Sequence, residues 1–480
     1  VPGRTVIDRI WADHVVAELG GGRALLHIDR VLLHERTGPA LLAGLAAAGR
    51  RPAHAARVVA IADHTVPTEP GRSAATMQAG ARAFVQALRD STAAAGVRLI
   101  DLDDPRQGIV HVVAPELGLA LPGMTLVCPD SHTGTLGGLG ALAWGIGSTE
   151  GEHAVATQTL VRAAAPQMRV RIDGALPAGS GAKDIALALI ARFGATGGAL
   201  NGEGCAIEFT GSAVRALSVE GRMTLCNLAV EFGAWTGLVA PDERTIAWVA
   251  GRPHAPQGAD WESAVAYWRT LRSDDDATWD AERTLDVSAL APQLTWGTSP
   301  EHGGAVDGRV PDPAQQADPG RRAAAERALG YMGLRPGQAL AGLPIDAAFI
   351  GSCTNARLPD LREAAQVLRG RKVAPGVRAL VVPGSMAVRA AAEADGLHRI
   401  FIEAGFEWRA SGCSLCFYSG NDSFGGRADG APMRVASSTN RNFEGRQGPG
   451  VRTHLCSPAT VAASAVAGAL ADPRPWCATH

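Results

Sequence analysis

Short apolar runs alternate along the chain with stretches in which apolar residues recur at helical spacing. Such alternation predicts an α/β architecture of mixed and parallel sheets flanked by helices. Residues 57–62 form a buried strand that ends in Asp63 and His64, followed by a helix over 75–88 and a strand over 96–102. Gln107-Gly-Ile-Val-His111 repeats the theme of an apolar run ending in histidine. Leu126-Val-Cys128-Pro-Asp130-Ser131-His132-Thr133 is a third instance. Ligands of such folds gather at the carboxyl ends of strands, so three strand-end histidines within seventy residues suggest a site. The glycine-rich segment 134–147 and the capping-box pattern Thr149-Glu-Gly-Glu152 then offer backbone N–H groups to an anion.

Further on, 168–172 reads as a strand and 182–193 as a helix. Asn227 and Glu231, four apart, can share one helical face. Residues 253–293 read as peripheral covering and 297–318, rich in Pro, Gly and Asp, as a linker. Asp318-Pro319 supplies an N-cap and first helical position. A strand over 347–350 then runs into Gly351-Ser-Cys353-Thr-Asn355, with a helix at 358–369, a strand at 378–382 and a helix at 387–395. Cys353 thus ends a strand of a βαβ module.

Composition narrows the class. The 480 residues suffice for several domains, and 46% hydrophobic content is ordinary for a globular chain. A formal charge of −2 gives no bulk electrostatic case for binding nucleic acid. Cations are almost all arginine, with Lys183 and Lys372 the exceptions. The first ten residues lack an apolar signal core, and 459–471 is too short and small-sided to span a membrane, so a cytoplasmic protein is expected. Eight cysteines without a secretion signal point to thiols or metal ligands over a disulfide scaffold.

The densest chemistry lies late, in Gly412-Cys413-Ser-Leu-Cys416 and Ser438-Thr-Asn440-Arg441-Asn-Phe-Glu-Gly-Arg446. A lone Cys-x-x-Cys suits a redox dithiol, half a zinc site or cluster ligation. Cys353 upstream makes a three-thiolate iron–sulfur cluster a further reading, and the spacing alone leaves these open.

These three segments resemble the cluster and substrate motifs of the aconitase superfamily, and within it those of the 3-isopropylmalate dehydratase large subunits. The similarity runs from near Ile7 to Leu470 and includes Asp130-Ser-His-Thr, Glu152-His-Ala-Val-Ala-Thr-Gln-Thr-Leu160 and Glu220-Gly-Arg-Met-Thr-Leu-Cys-Asn227. It implies a three-domain core (1–165, 166–300, and 301–480 carrying the cysteines) without the superfamily's swivelling fourth domain. It implies one 4Fe–4S cluster on Cys353, Cys413 and Cys416. Asp63, His64, His111, Asp130, His132 and Glu231 become catalytic candidates, with Ser131, Asn227, Asn440, Arg441 and Arg446 binding a small di- or tricarboxylic acid. The implied activity is that of a hydro-lyase converting 2-isopropylmalate to 3-isopropylmalate in leucine biosynthesis. A small subunit would supply the swivelling domain and its catalytic serine, since no Gly-Ser-Ser-Arg motif is found here.

The chain departs from the pattern in a few places. Phe417-Tyr-Ser-Gly-Asn421-Asp422-Ser-Phe424 replaces a small apolar run and Asn-x-Asp, and Leu136-Gly-Gly-Leu139 replaces His-Gly-Ala-Phe. Ala356 stands for a common serine and Pro129 for a common glycine. No ligand is lost, but the substrate's alkyl group is left open. The alternative is a paralogue acting on another 2-alkylmalate-type acid: citramalate, a homocitrate-like acid or a specialised-metabolite analogue. A cluster-sensing RNA-binding protein is a lesser one, disfavoured by the charge.

Overall fold

The computed structural model describes residues 3–419 and 422–477. Gly420 and Asn421, inside the divergent segment 417–424, lie outside the described residues. Two compact units are interleaved along the chain. The first takes in Val66 and the described residues before it, with Gln78–Gly174 and Gly198–Leu285. The second takes in Pro67–Met77, Ala175–Gly197 and the described residues from Asp286 onward.

In the first unit, five parallel strands lie in the order Arg98–Ile100, Val58–Ile61, Arg30–His34, Thr125–Cys128, Leu142–Gly145. Val58–Ile61 and Thr125–Cys128 are buried along their whole length, which is why 58–61 and 126–128 read as apolar runs. In chain order the strands stand 3-2-1-4-5, so connections leave in opposite directions between Arg30–His34 and Thr125–Cys128. That reversal opens a crevice at the strands' carboxyl ends. A second sheet in this unit orders Thr236–Leu238, Ala206–Thr210, Gln167–Asp173 and Ala281–Asp286. An antiparallel sheet joins Val15–Gly20, Arg23–His27 and Thr159–Ala163.

The second unit repeats the 3-2-1-4-5 order with Phe406–Trp408, Arg378–Val381, Ala347–Ile350, Met433–Ser437 and Val451–Leu455, again all parallel. Phe349, Leu380, Val382, Leu415, Phe424 and Val435 fill one core cluster of this unit. Its reversal falls between Ala347–Ile350, which leads to Cys353, and Met433–Ser437, which leads to Asn440. Both units therefore point their chemistry-bearing loops from the same topological position.

The α/β expectation holds, with local differences. The helix expected at 75–88 begins later, at Ala79–Ala95. His111 ends no strand; it lies in the first turn of the helix Val110–Glu116, because Asp63 Oδ2 accepts the Val110 N–H (2.8 Å) and starts that helix. The glycine-rich stretch hides the strand Leu142–Gly145, and its glycines serve close packing. A Cβ on Gly137 would fall 1.8 Å from the Gly237 carbonyl oxygen, and one on Gly138 2.5 Å from the Met223 amide. The next helix is Ser148–Thr157, capped by Glu150 accepting the Gly147 N–H (3.3 Å) rather than by Thr149 and Glu152. Residues 297–318 do not act as a free linker: the hairpin Gln293–Thr295 and Gly303–Ala305 enters them, and Val306 and Val310 are buried.

One buried histidine makes stability depend on pH. His454 donates Nδ1–H to the Thr295 carbonyl (2.5 Å) and accepts from Arg434 Nη1 at Nε2 (2.7 Å). Burial, then the Arg434 charge, pulls it down from 6.5 to about 3. An unfolded chain takes up this proton below pH 6.5, whereas the folded chain refuses it until about pH 3. Stability is therefore lost as pH falls through that window. In denaturant unfolding between pH 7 and 4, His454→Gln should reduce the slope of stability against pH by about one proton.

Candidate active-site residues

In the first unit the candidates converge on the carboxyl edge of the five-stranded sheet. Asp63 follows Val58–Ile61 and is fully buried; its Oδ1 lies 2.6 Å from His64 Nδ1. Burial pushes the Asp63 carboxyl up, but the charge and hydrogen bond of His64 outweigh it and hold Asp63 below its ordinary value. Asp130, two residues past Thr125–Cys128, accepts from His111 Nε2 (2.9 Å) on Oδ1 and faces His64 Nε2 (3.3 Å) with Oδ2. It also accepts the His132 backbone N–H (2.8 Å). Burial opposes its ionisation, yet His111 and His64 hold it well below the carboxylate range. His64 thus has a carboxylate facing each ring nitrogen.

His132 pairs through Nε2 with Glu231 Oε1 (2.9 Å), while Ser131 Oγ is 3.3 Å from its Nδ1. Asn227 and Glu231 do not share one helix: Asn227 closes Val219–Asn227, and Glu231 sits in the short turn Val230–Phe232. Asn227 reaches Thr135 Oγ1 (2.8 Å), and Thr135 donates to the His132 carbonyl (2.6 Å). His132 is therefore held from both its ring and its backbone.

Two neighbours escaped sequence reasoning. Glu35, fully buried, accepts from the backbone N–H groups of Asp63 (3.0 Å) and Thr65 and from the Thr65 hydroxyl (3.0 Å). Burial, then the nearby Asp63 charge, raises its carboxyl. His34 stacks on His64 with centroids 4.1 Å apart, and burial, then the His64 charge, lowers it to about 4. A neutral ring can stack against His64 without charge repulsion. The signal was present: Val31-Leu-Leu-His34-Glu35 is one more apolar run ending in polar residues.

In the second unit the three cysteines are 6–7% exposed, and two that are distant in sequence share the same partners. Asn440 Nδ2 donates to Cys353 Sγ (3.5 Å), and the Cys416 thiol donates to Asn440 Oδ1 (3.7 Å). Ser352 Oγ lies 3.3 Å from Cys416 Sγ and 3.9 Å from Cys353 Sγ. Arg446 Nη2 reaches Cys416 Sγ at 3.8 Å. Cys413 and Cys416 occupy one tight turn, closed by the Cys416 N–H on the Cys413 carbonyl (2.9 Å). Ser352 and Ser414 adopt φ of +82° and +47°, left-handed conformations costly to a residue with a Cβ and typical of backbone held for function. Thiols converging from two segments, with amide, hydroxyl and guanidinium donors aimed at sulfur, fit a thiolate-bound iron–sulfur group.

The divergent segment has its own bracing. Asp422, 4% exposed, accepts from Ser414 Oγ and Thr68 Oγ1, each at 2.5 Å, and lies 3.8 Å from Arg409 Nη1. It thereby ties down Ser414, one of the two residues between Cys413 and Cys416. The Arg446 guanidinium lies over two aromatic rings, 5.5 Å from the centroid of Phe417 and 5.4 Å from that of Phe443.

The aconitase family (aconitate hydratase) matches residues 8–468, and the chain belongs to that family. Among its relatives, 3-isopropylmalate dehydratase large subunit 1 of Bradyrhizobium diazoefficiens is 55% identical over 472 residues, 98% of this chain and 97% of that protein. Among solved structures, the holo-form of aconitase X from Thermococcus kodakaraensis overlaps 87% of this chain and 84% of its own, at 13% identity and a TM-score of 0.45.

Proposed function

We propose that this chain is the large, cluster-bearing subunit of a hydro-lyase that converts 2-isopropylmalate to 3-isopropylmalate in leucine biosynthesis. The relative 55% identical over nearly the whole of both chains carries the reading. Cys353, Cys413 and Cys416 hold one 4Fe–4S cluster, which supplies a Lewis acid to the substrate oxygens when bound. The chain's own residues do the rest. Arg441 and Arg446 fork onto substrate carboxylates, helped by Asn440, while Ser131 and Asn227 complete the polar contacts. His64, oriented by Asp63 and Asp130, gives a proton to the departing hydroxide. His132 is kept in place by Glu231, and His111 by Asp130. The base that removes the carbon-bound proton comes from a small subunit, which carries the swivelling domain and its serine.

The spans 1–165, 166–300 and 301–480 are proposed as the family's three domains, since each contains one principal sheet. Among the described residues no helix is long and apolar enough to cross a membrane.

Anaerobic reconstitution with iron and sulfide, with and without the cognate small subunit, tests the proposal. Turnover of 2-isopropylmalate is expected only with both subunits. Turnover by this chain alone would sink the partner's role. A preference for citramalate or a homocitrate-like acid would select the paralogue reading, to which the divergent residues 417–424 lend support. Salt-sensitive RNA binding by the cluster-free chain would favour the sensor reading.

A further inference from the structure

Lys183 is a cation in an unfavourable place. It sits in the first turn of the helix Ala182–Phe193, where the helix dipole opposes positive charge, and its side chain is 1% exposed. Burial lowers it from 10.5 to about 8. Its neighbour Asp184 is occupied by the backbone N–H groups of Gly181 (2.8 Å) and Gln293 (2.7 Å). Lys183 Nζ instead donates to two consecutive backbone carbonyls, those of Ser438 and Thr439.

Those carbonyls occupy a particular position in the second unit. Residues 438 and 439 directly precede Asn440, which contacts Cys353 and Cys416, and Arg441, the proposed carboxylate ligand. Ser438 also locks onto the other cysteine-bearing loop. Its hydroxyl accepts the Gly351 N–H (3.0 Å) and donates to the Gly351 carbonyl (3.1 Å), two residues before Cys353. Thr439 Oγ1 meets Ser437 Oγ at 3.0 Å. Buried carbonyls need donors, and a neutral donor would satisfy them without the cost of a buried charge. A rigid ammonium anchor can instead fix the direction of both carbonyls at once, and with them the course of the next two residues.

We propose that Lys183 is a positioning residue: its ammonium orients the 438–441 backbone so that Asn440 faces the cysteine sulfurs and Arg441 is presented to the substrate carboxylate. The consequence for turnover rests on the function proposed above, whereas the consequence for the loop does not.

The test uses the full chain carrying Lys183→Met, Lys183→Gln or Lys183→Arg. Hydrogen exchange is followed without substrate, and KM and kcat are measured with the cluster and small subunit. Peptides covering 437–446 should exchange at least tenfold faster in the neutral variants, while those from Arg378–Val381 stay protected. KM for 2-isopropylmalate should rise tenfold or more, with a smaller fall in kcat, and Lys183→Arg should recover part of both. Either neutral variant that folds decides the matter. Unchanged exchange over 437–446 with an unchanged KM overturns the proposal, as does a general loss of stability in which the surviving enzyme keeps its KM. A wild-type complex inactive on 2-isopropylmalate defeats the functional reading alone, and the exchange experiment still judges Lys183.

Discussion

Cys416→Ser should abolish turnover, lowering it by at least about 10³-fold, while the chain remains folded. A serine hydroxyl stays protonated near neutral pH and offers no soft thiolate to iron. Arg446 Nη2 and Ser352 Oγ both approach the Cys416 sulfur, and the Cys416 thiol donates to Asn440 Oδ1, so the substitution also changes the atom around which these three side chains are arranged. Iron and sulfide content after anaerobic reconstitution, together with the cluster's electron paramagnetic resonance signal, should fall with activity. Cys205→Ser is the control. Cys205 is fully buried among core residues, and burial raises its thiol, as befits a packed thiol rather than a ligand. It should keep cluster content and turnover close to wild type. Equal loss in both variants would mean that serine substitution damages folding generally, and the ligand assignment would fail.

The parts of the site that could be read in advance share one physical origin. Parallel strands buried on both faces must be apolar throughout, so the polar residue that ends each run stands out, as Asp63 does after Val58–Ile61 and Cys353 after Ala347–Ile350. The same pattern marks His34 and Glu35, whose roles become evident only once Glu35 is seen to hold the Asp63 and Thr65 amides. His111 defeated the rule because the Asp63 carboxylate, distant in sequence, starts a helix in a β-rich string. Gly137 and Gly138 looked like an anion-binding loop because the need for close packing against Gly237 and Met223 has no local signature. The role of Asp422 had no local signature: Thr68, 354 residues away, shares it with Ser414, and nothing near Asp422 in sequence announces that partner. Likewise no shift in composition marks Pro67–Met77 or Ala175–Gly197 as belonging with the second unit.

His64→Asn should lower kcat by about 10²- to 10⁴-fold, the usual worth of a general acid, and leave KM within a few-fold of wild type. The split follows from the proposed roles, since Arg441 and Arg446 bind the substrate and His64 only donates to the leaving hydroxide. Asp63→Asn gives the sharper test. The Asp63 carboxylate lies 2.6 Å from His64 Nδ1 and is held below its ordinary value, so it remains ionised across the working pH range. That negative charge favours the protonated imidazole. With a neutral amide in its place, His64 gives up its proton at lower pH, and an enzyme that uses His64 as an acid must lose activity earlier as pH rises. The alkaline limb of the kcat profile should therefore move to lower pH in Asp63→Asn, with a kcat at its optimum between those of wild type and His64→Asn. Asp130 flanks the other ring nitrogen at 3.3 Å and tempers the shift without reversing its sign. A limb that moved to higher pH would show that His64 acts as a base, and the direction of proton transfer proposed here would have to be inverted.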